Sequence, residues 1–172
     1  MEEHEHEYLT FLLGEGEFGV DILCVQEIMV LAPATQMPGL PEYVRGVINL
    51  RGTIVPVVDL RLRFGMPEKE YDATTVVIVL RINNDSKICV LGIVVDAVSE
   101  VYKLSSQQLK NAPDFGNSID NCFIDALGVV DEKLVILLNT EQLLNVNQLY
   151  KIAARAEPEA AKGRPDPSRD VA

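Results

Sequence analysis

Tryptophan is absent from the 172 residues, aromatics make up 6%, and histidine occurs twice. His4 and His6 alternate with glutamates in an acidic leader, which offers at most a weak, stray metal site. Cys24, Cys89 and Cys122 are odd in number and widely spaced, with no C-x-x-C pair. That excludes a disulfide framework and reads as small buried hydrophobes in a reducing compartment. Cations are scarce, 15 Lys and Arg against 26 Asp and Glu, giving a net charge of −11. A nucleic-acid surface would need a basic face, so that class is excluded. Long apolar runs are missing too. "ICVLGIVV" has eight residues, whereas a bilayer span takes about 20. The first residues are acidic, with no secretory pattern, so the expected location is the cytoplasm. A phosphate-cradling glycine loop, a Cys/His nucleophile pair and metal-ligand spacing are all absent, leaving no catalytic residue, metal or cofactor to name.

What is present is apolar and β-branched. The apolar fraction is 48%, and a chain of this length buries about 70% of its unfolded surface, enough for one substantial core or two small ones. Glu2, Glu3, Glu5 and Glu7 place four negative charges ahead of the fold, and the stretch from Ala153 is neutral. Residues 1–7 are therefore expected to be a disordered acidic tail, 8–152 the folded domain, and 153–172 a disordered tail of Ala, Glu, Pro, Lys and Arg.

Apolar runs bounded by turn residues predict strands over "YLTFLL", "FGVDI", "GVINL", "TIVPVV", "TTVVIVL", "KICVLGIVV", "CFIDALGVV" and "KLVILLN". "DILCVQEI" places Ile22, Val25 and Ile28 at three-residue spacing behind Asp21, which predicts one or two capped helical turns. "DLRLRF" predicts a short helix capped by Asp59. Asn83, Asn84 and Asp85 predict a turn. Pro56 cannot donate to a ladder and is expected at an edge or a bulge.

"FGVDILCVQEI" aligns without gaps on "LGIVVDAVSEV", matching Gly19 with Gly92, Val25 with Val98 and Glu27 with Glu100. "GVINLRGTIVPVVDLRL" likewise resembles "GVVDEKLVILLNTEQLL", with Asp59 and Asn139 as caps. Two similar β units follow. Their short strands need closure to hide their edges, so the expected fold is all-β: two small packed barrels with short helices. Between glycine and cap the first copy is two residues longer, and the extra length falls in "NLRG", around Arg51.

"YLTFLLGEGEFGVDILCVQEI", "PEYVRGVINLRGTIVPVVDLR" and "TVVIVL…GIVVDAVSEV" resemble CheW, the adaptor family of bacterial chemotaxis, over about Tyr8 to Tyr150. The resemblance implies paired SH3-like five-stranded β-barrels without catalytic activity. It also implies a scaffold coupling chemoreceptor helix bundles to the regulatory domain of the histidine kinase CheA, recruited to receptor arrays without entering the membrane. An adaptor of a non-motility chemosensory pathway and a CheV-like coupling domain are the close alternatives. CheV carries a receiver after such a domain, and the stretch past Ala153 is expected to be a disordered tail with no room for one. Cys24 departs from the family, where a lysine is common.

Arg51 by itself reads as a solvated turn residue or as an anchor whose planar five-donor group suits a carboxylate or helix carbonyls. The resemblance puts Arg51 and Gly52 on the receptor-binding surface, together with the "V-x-E" of Val25 and Glu27 and with Val76. Apolar residues rimmed by one acid and one arginine suit an amphipathic helix. Val98 and Glu100 repeat that pattern, so the spacing is partly structural. Lys110 and Phe115 flank "NAPDF", a loop that the resemblance assigns to the kinase. Phe115 is either tucked onto a barrel or offered to that partner. Val30 and Leu31, apolar before a proline-rich loop, are the other kinase-facing candidates.

Overall fold

The computed structural model describes residues 5–31, 33–84, 87–111 and 123–143. The expectations for residues 1–4, Asp85, Phe115, Cys122 and the tail after Ala153 lie outside the described residues. In chain order the strands are β1 (Glu5–Leu13), β2 (Gly16–Asp21), β3 (Val25–Val30), β4 (Val44–Leu50), β5 (Thr53–Asp59), β6 (Val76–Asn84), β7 (Lys87–Val95), β8 (Ala97–Ser105), β9 (Leu109–Lys110), β10 (Ile124–Val130) and β11 (Lys133–Leu138). A short helix, α1 (Leu60–Arg63), follows β5.

One sheet runs β3-β6-β7-β5-β4 and the other β8-β1-β2-β11-β10-β9. Exchanging each strand of the first for its counterpart (β8, β1, β2, β11, β10) reproduces the second except for the two-residue β9, which makes that sheet six-stranded where five strands were expected. The one parallel pair of each matches as well, β5 on β7 and β11 on β2. The repeat is therefore real, but the units are not successive halves of the chain. The amino-terminal hairpin β1–β2 completes the carboxy-terminal unit. Both aligned repeat segments turn out to be crossings between sheets, β2 into β3 and β7 into β8.

Each sheet curls shut. In the first unit, barrel 1, the segment after β3 reaches back to β4, where Thr35 N–H donates to Val47 O at 2.8 Å and Val47 N–H to Thr35 O at 2.9 Å. Gly46 permits this approach. At its φ of 142° an added Cβ would stand 2.3 Å from the Thr35 carbonyl oxygen. In barrel 2, β8 runs through a single 3-10 turn, Ser106–Gln108, into β9, which pairs with β10 and so joins the two ends of the sheet. Unpaired edges are thereby kept short.

Alternation along β6 explains its uninterrupted apolar run. Val77 and Val79 fill barrel 1 with Ile48, Val55, Val57 and Val94, while Ile78, Leu80 and Ile82 face a larger core between the barrels. Phe11, Val20, Leu91, Ile93 and Leu138 enter that shared core from both sheets. Leu104, Val130, Val135 and Leu137 fill barrel 2. A strand buried on both faces has no polar side to show in its sequence.

Several expectations need correction. β3 is a strand, because Val25–Val30 pairs with β6; only Ile22–Cys24 turns, as a 3-10 turn whose Asp21 cap accepts from Leu23 N–H at 2.9 Å. A β-bulge between Val25 and Glu27 sets Val25 and Ile28 opposite Leu80 and Ile78, so two apolar residues three apart mimic helical spacing. β1 begins at Glu5, with Glu5–Glu7 paired to β8, so these residues of the expected acidic tail are strand. Asn83 and Asn84 are strand residues, not turn, because β6 pairs with β7 out to Asn84 and Lys87. Pro56 lies in a strand with neighbours on both sides, although the pairing with β7 covers only Val57, Val58 and Asp59. Arg51 also does not sit in a longer turn. Both hairpins close with two residues, Arg51–Gly52 and Asp131–Glu132, and the extra length of the first lies in its strands.

Candidate functional site

Arg51 and Gly52 link Leu50 to Thr53 at the tip of the β4–β5 hairpin. Their φ values are 52° and 91°, both positive, the signature of a type I′ turn, which suits the right-handed twist of paired strands. Asparagine-glycine is the favoured pair for such a turn, so arginine in its first position carries a conformational cost. Asn49 Oδ1 accepts from Gly52 N–H at 2.8 Å and fixes the tip.

The tip leans over the seam of barrel 1. β3 and β4 are the two ends of that sheet, yet Arg51 Nη2 donates to Glu27 Oε2 on β3, an ion pair between 69% and 29% exposed side chains. The β3 bulge turns Val25 onto the shared core beside Glu27, leaving it half-buried. Glu27, Arg51 and Gly52 are thus brought together: an acid on β3 and a cation at the hairpin tip, with Val25 two residues before Glu27 and packed on the shared core. Water and the single carboxylate leave most of the five guanidinium donors free for a partner.

Other candidates fall elsewhere. Val76 opens β6 opposite Val30, four residues from the Leu80 that faces Val25, or about 13 Å along the strand. It is half-buried against the shared core. Val30 is 76% exposed. Leu31 is half-buried and lines an open groove with Pro33, Ala34, Arg45 and Tyr71. Lys110 lies exposed on β9 in barrel 2, so Val30 and Leu31 stand on a different barrel from it. Phe115 is outside the described residues. Reading β3 as a helix also hid Ile28, which is exposed next to Glu27 and is visible only from a strand's alternation.

The second unit shows what the repeat alone produces. Glu100, the counterpart of Glu27, accepts from Tyr102 O–H at 2.9 Å; Lys133 in turn reaches Tyr102 at 3.1 Å and Glu17 at 3.0 Å. Burial would raise the Glu17 carboxyl, but polar side chains around it, Lys133 at 3.0 Å among them, outweigh it and hold the group below its usual range. The second hairpin tip carries Asp131 and Glu132 in place of Arg51 and Gly52. The projecting cation is thus a property of the first unit and not of the motif.

Asp59 and Asp96, the acids at strand ends, are used structurally. Asp59 caps α1, accepting from Arg61 N–H at 3.0 Å, and takes Tyr71 O–H at 2.7 Å. Asp96 is bound by Arg61 at 2.9 Å. No group of three or more His, Cys, Asp and Glu is placed to hold a metal among the described residues.

The family model for the CheW-like domain matches residues 7–148. A chemotaxis protein CheW of Klebsiella aerogenes is 41% identical over 143 residues, 83% of this chain and 84% of that one. A probable chemotaxis protein CheW of Rhizobium etli is 32% identical over 145 residues, covering 84% and 91%. Among solved structures, the scaffolding protein TtCheW of Thermoanaerobacter tengcongensis superposes with a TM-score of 0.74 at 31% identity, covering 84% of this chain and 96% of that one.

Proposed function

The chain belongs to the CheW family, and we propose from that premise that it is a non-catalytic chemotaxis adaptor coupling chemoreceptors to the histidine kinase CheA. The observation that carries the reading is the Arg51 tip, a cation held in an unfavourable backbone conformation and paired with Glu27 across the seam. A hairpin kept only for stability has no use for it. The surface built by Val25, Glu27, Arg51 and Gly52 receives an amphipathic helix of the receptor bundle, with apolar contact at Val25 and charged hydrogen bonds at the rim. Val76 extends that contact along β6. Val30, Leu31, Lys110 and Phe115 face the kinase's regulatory domain. Val30 and Val76 are cross-strand partners, so the two faces meet there. Among the described residues no helix is long and apolar enough to cross a membrane; the receptor contact recruits the chain to membrane-associated arrays.

Amide shift mapping tests both faces. A receptor helix-bundle fragment should perturb Glu27, Arg51 and Gly52, and the regulatory domain of CheA should perturb Val30, Leu31 and Lys110. Shifts at Arg51 with the kinase domain and none with the receptor fragment would overturn the assignment.

A further inference from the structure

The chain passes between the barrels twice, and the two passages are built differently. At the first, Ile22–Cys24, a long hydrogen bond runs from Thr140 Oγ1 to Cys24 Sγ at 4.0 Å, and Leu23 is exposed. At the second, Asp96 holds both barrels at once. Its N–H donates to Leu12 O at 3.0 Å and its Oδ2 accepts from Gly14 N–H at 2.9 Å, both on the β1–β2 hairpin of barrel 2. The same carboxylate takes Arg61 Nε at 3.0 Å and Nη2 at 2.9 Å, from the helix that follows β5 of barrel 1. Arg61 Nη1 is anchored in turn on Pro67 O at 3.0 Å. These two side chains are 16% and 15% exposed.

The shared core between the barrels is apolar, and apolar burial is non-directional. By itself it keeps the barrels together without fixing their angle; beside it, Arg63 of α1 makes one backbone contact to the segment after β11, its Nε donating to Leu143 O at 2.6 Å. A two-point arginine–carboxylate pair is planar and directional. We infer that Arg61 and Asp96 are positioning residues that set the angle between the barrels, so that the receptor face on barrel 1 and the kinase-facing Lys110 on barrel 2 are presented together. This rests on the adaptor reading. A pair that served stability alone would be replaceable by apolar residues without loss of coupling.

The test uses Asp96→Asn, which keeps an oxygen for Gly14, and Arg61→Lys, which keeps the charge and loses the fork. Residual dipolar couplings of the full chain should fit a single alignment tensor in the wild type and require one tensor per barrel in Asp96→Asn. Receptor-fragment affinity should stay within about twofold, as for a site remote from that surface. Receptor-dependent activation of CheA should fall roughly tenfold, the scale of a lost coupling energy. Arg61→Lys should lie between the two and covers the case in which Asp96→Asn fails to fold. A single tensor retained in the variants, or activation that falls only in proportion to receptor affinity, overturns the inference. A wild type that binds neither partner overturns the adaptor reading and the coupling role with it. In that case the tensor comparison still reports whether the pair fixes the barrels.

Discussion

Arg51→Asn separates anchoring from architecture. Asparagine is favoured at the first position of a type I′ turn, and arginine holds a φ of 52° there. Relief of that backbone cost is worth up to about 1 kcal/mol. The substitution also removes the ion pair with Glu27, whose arginine is 69% exposed, and such surface pairs contribute about 0.2–1 kcal/mol. The two terms oppose each other, so the stability change should lie within about 0.5 kcal/mol of zero, as at ordinary surface positions. Arg51→Ala removes the same ion pair without supplying a residue suited to the turn, and should be the less stable variant. Binding follows the opposite order of importance. If the guanidinium is a hot spot, its loss costs about 2 kcal/mol or more, roughly 30-fold in receptor affinity. Urea unfolding beside a calorimetric titration with a receptor helix-bundle fragment reads both quantities. Receptor affinity unchanged in Arg51→Asn would refute the anchoring role. A loss of more than about 2 kcal/mol of stability would mean that the ion pair closes the barrel and the strain argument is wrong.

Gly46→Ala should open barrel 1, since the new Cβ meets the Thr35 carbonyl and breaks the two hydrogen bonds to Val47. Strain plus two lost bonds amounts to about 2–4 kcal/mol, and an unchanged melt with Thr35 and Val47 amides still protected from exchange would contradict the closure. Burial would raise the Asp96 carboxyl, but the hydrogen bond and charge of Arg61, with Gly14 N–H, hold it below its usual value. A depressed folded pKa stabilises fully above the unfolded value near 4 and is lost as the pH falls toward the folded one. The melting-temperature gap between wild type and Asp96→Asn should therefore narrow below about pH 4, whereas a constant gap down to pH 3 would show that the charge contributes nothing.

The architecture was legible where burial alternates or a cap is local. Asp21, Asp59 and Asn139 accept from the amides the sequence pointed to, because capping depends on neighbours two or three residues away. The repeat exposed the two units through Gly19 and Gly92, Val25 and Val98. It could not show that β1 and β2 belong to the second barrel, since strand pairing is non-local. β3 was misread because apolar Ile28 and Val30 occupy its exposed positions and Glu27 a half-buried one, so burial alternates but hydropathy does not. At the site, Glu27 beside Arg51 was foreseen, and the ion pair joins them across the seam. The origin of the projecting tip was not. It comes from longer strands and not from a longer turn, and hairpin register is set by pairing that composition does not report. Arg61 with Asp96 was invisible, being a contact between a helix and a strand end far apart in sequence.

Receptor-dependent kinase activity measures the adaptor role itself. The purified chain is titrated into a fixed mixture of CheA and a membrane-bound or templated chemoreceptor cytoplasmic fragment, and CheA autophosphorylation is followed with labelled ATP. The expected result is a rise in rate that saturates with the added chain, is absent without receptor, and is lost with Arg51→Asn at wild-type stability. A rate that stays at the level of CheA with receptor alone, across concentrations at which the chain remains folded, would contradict the adaptor function.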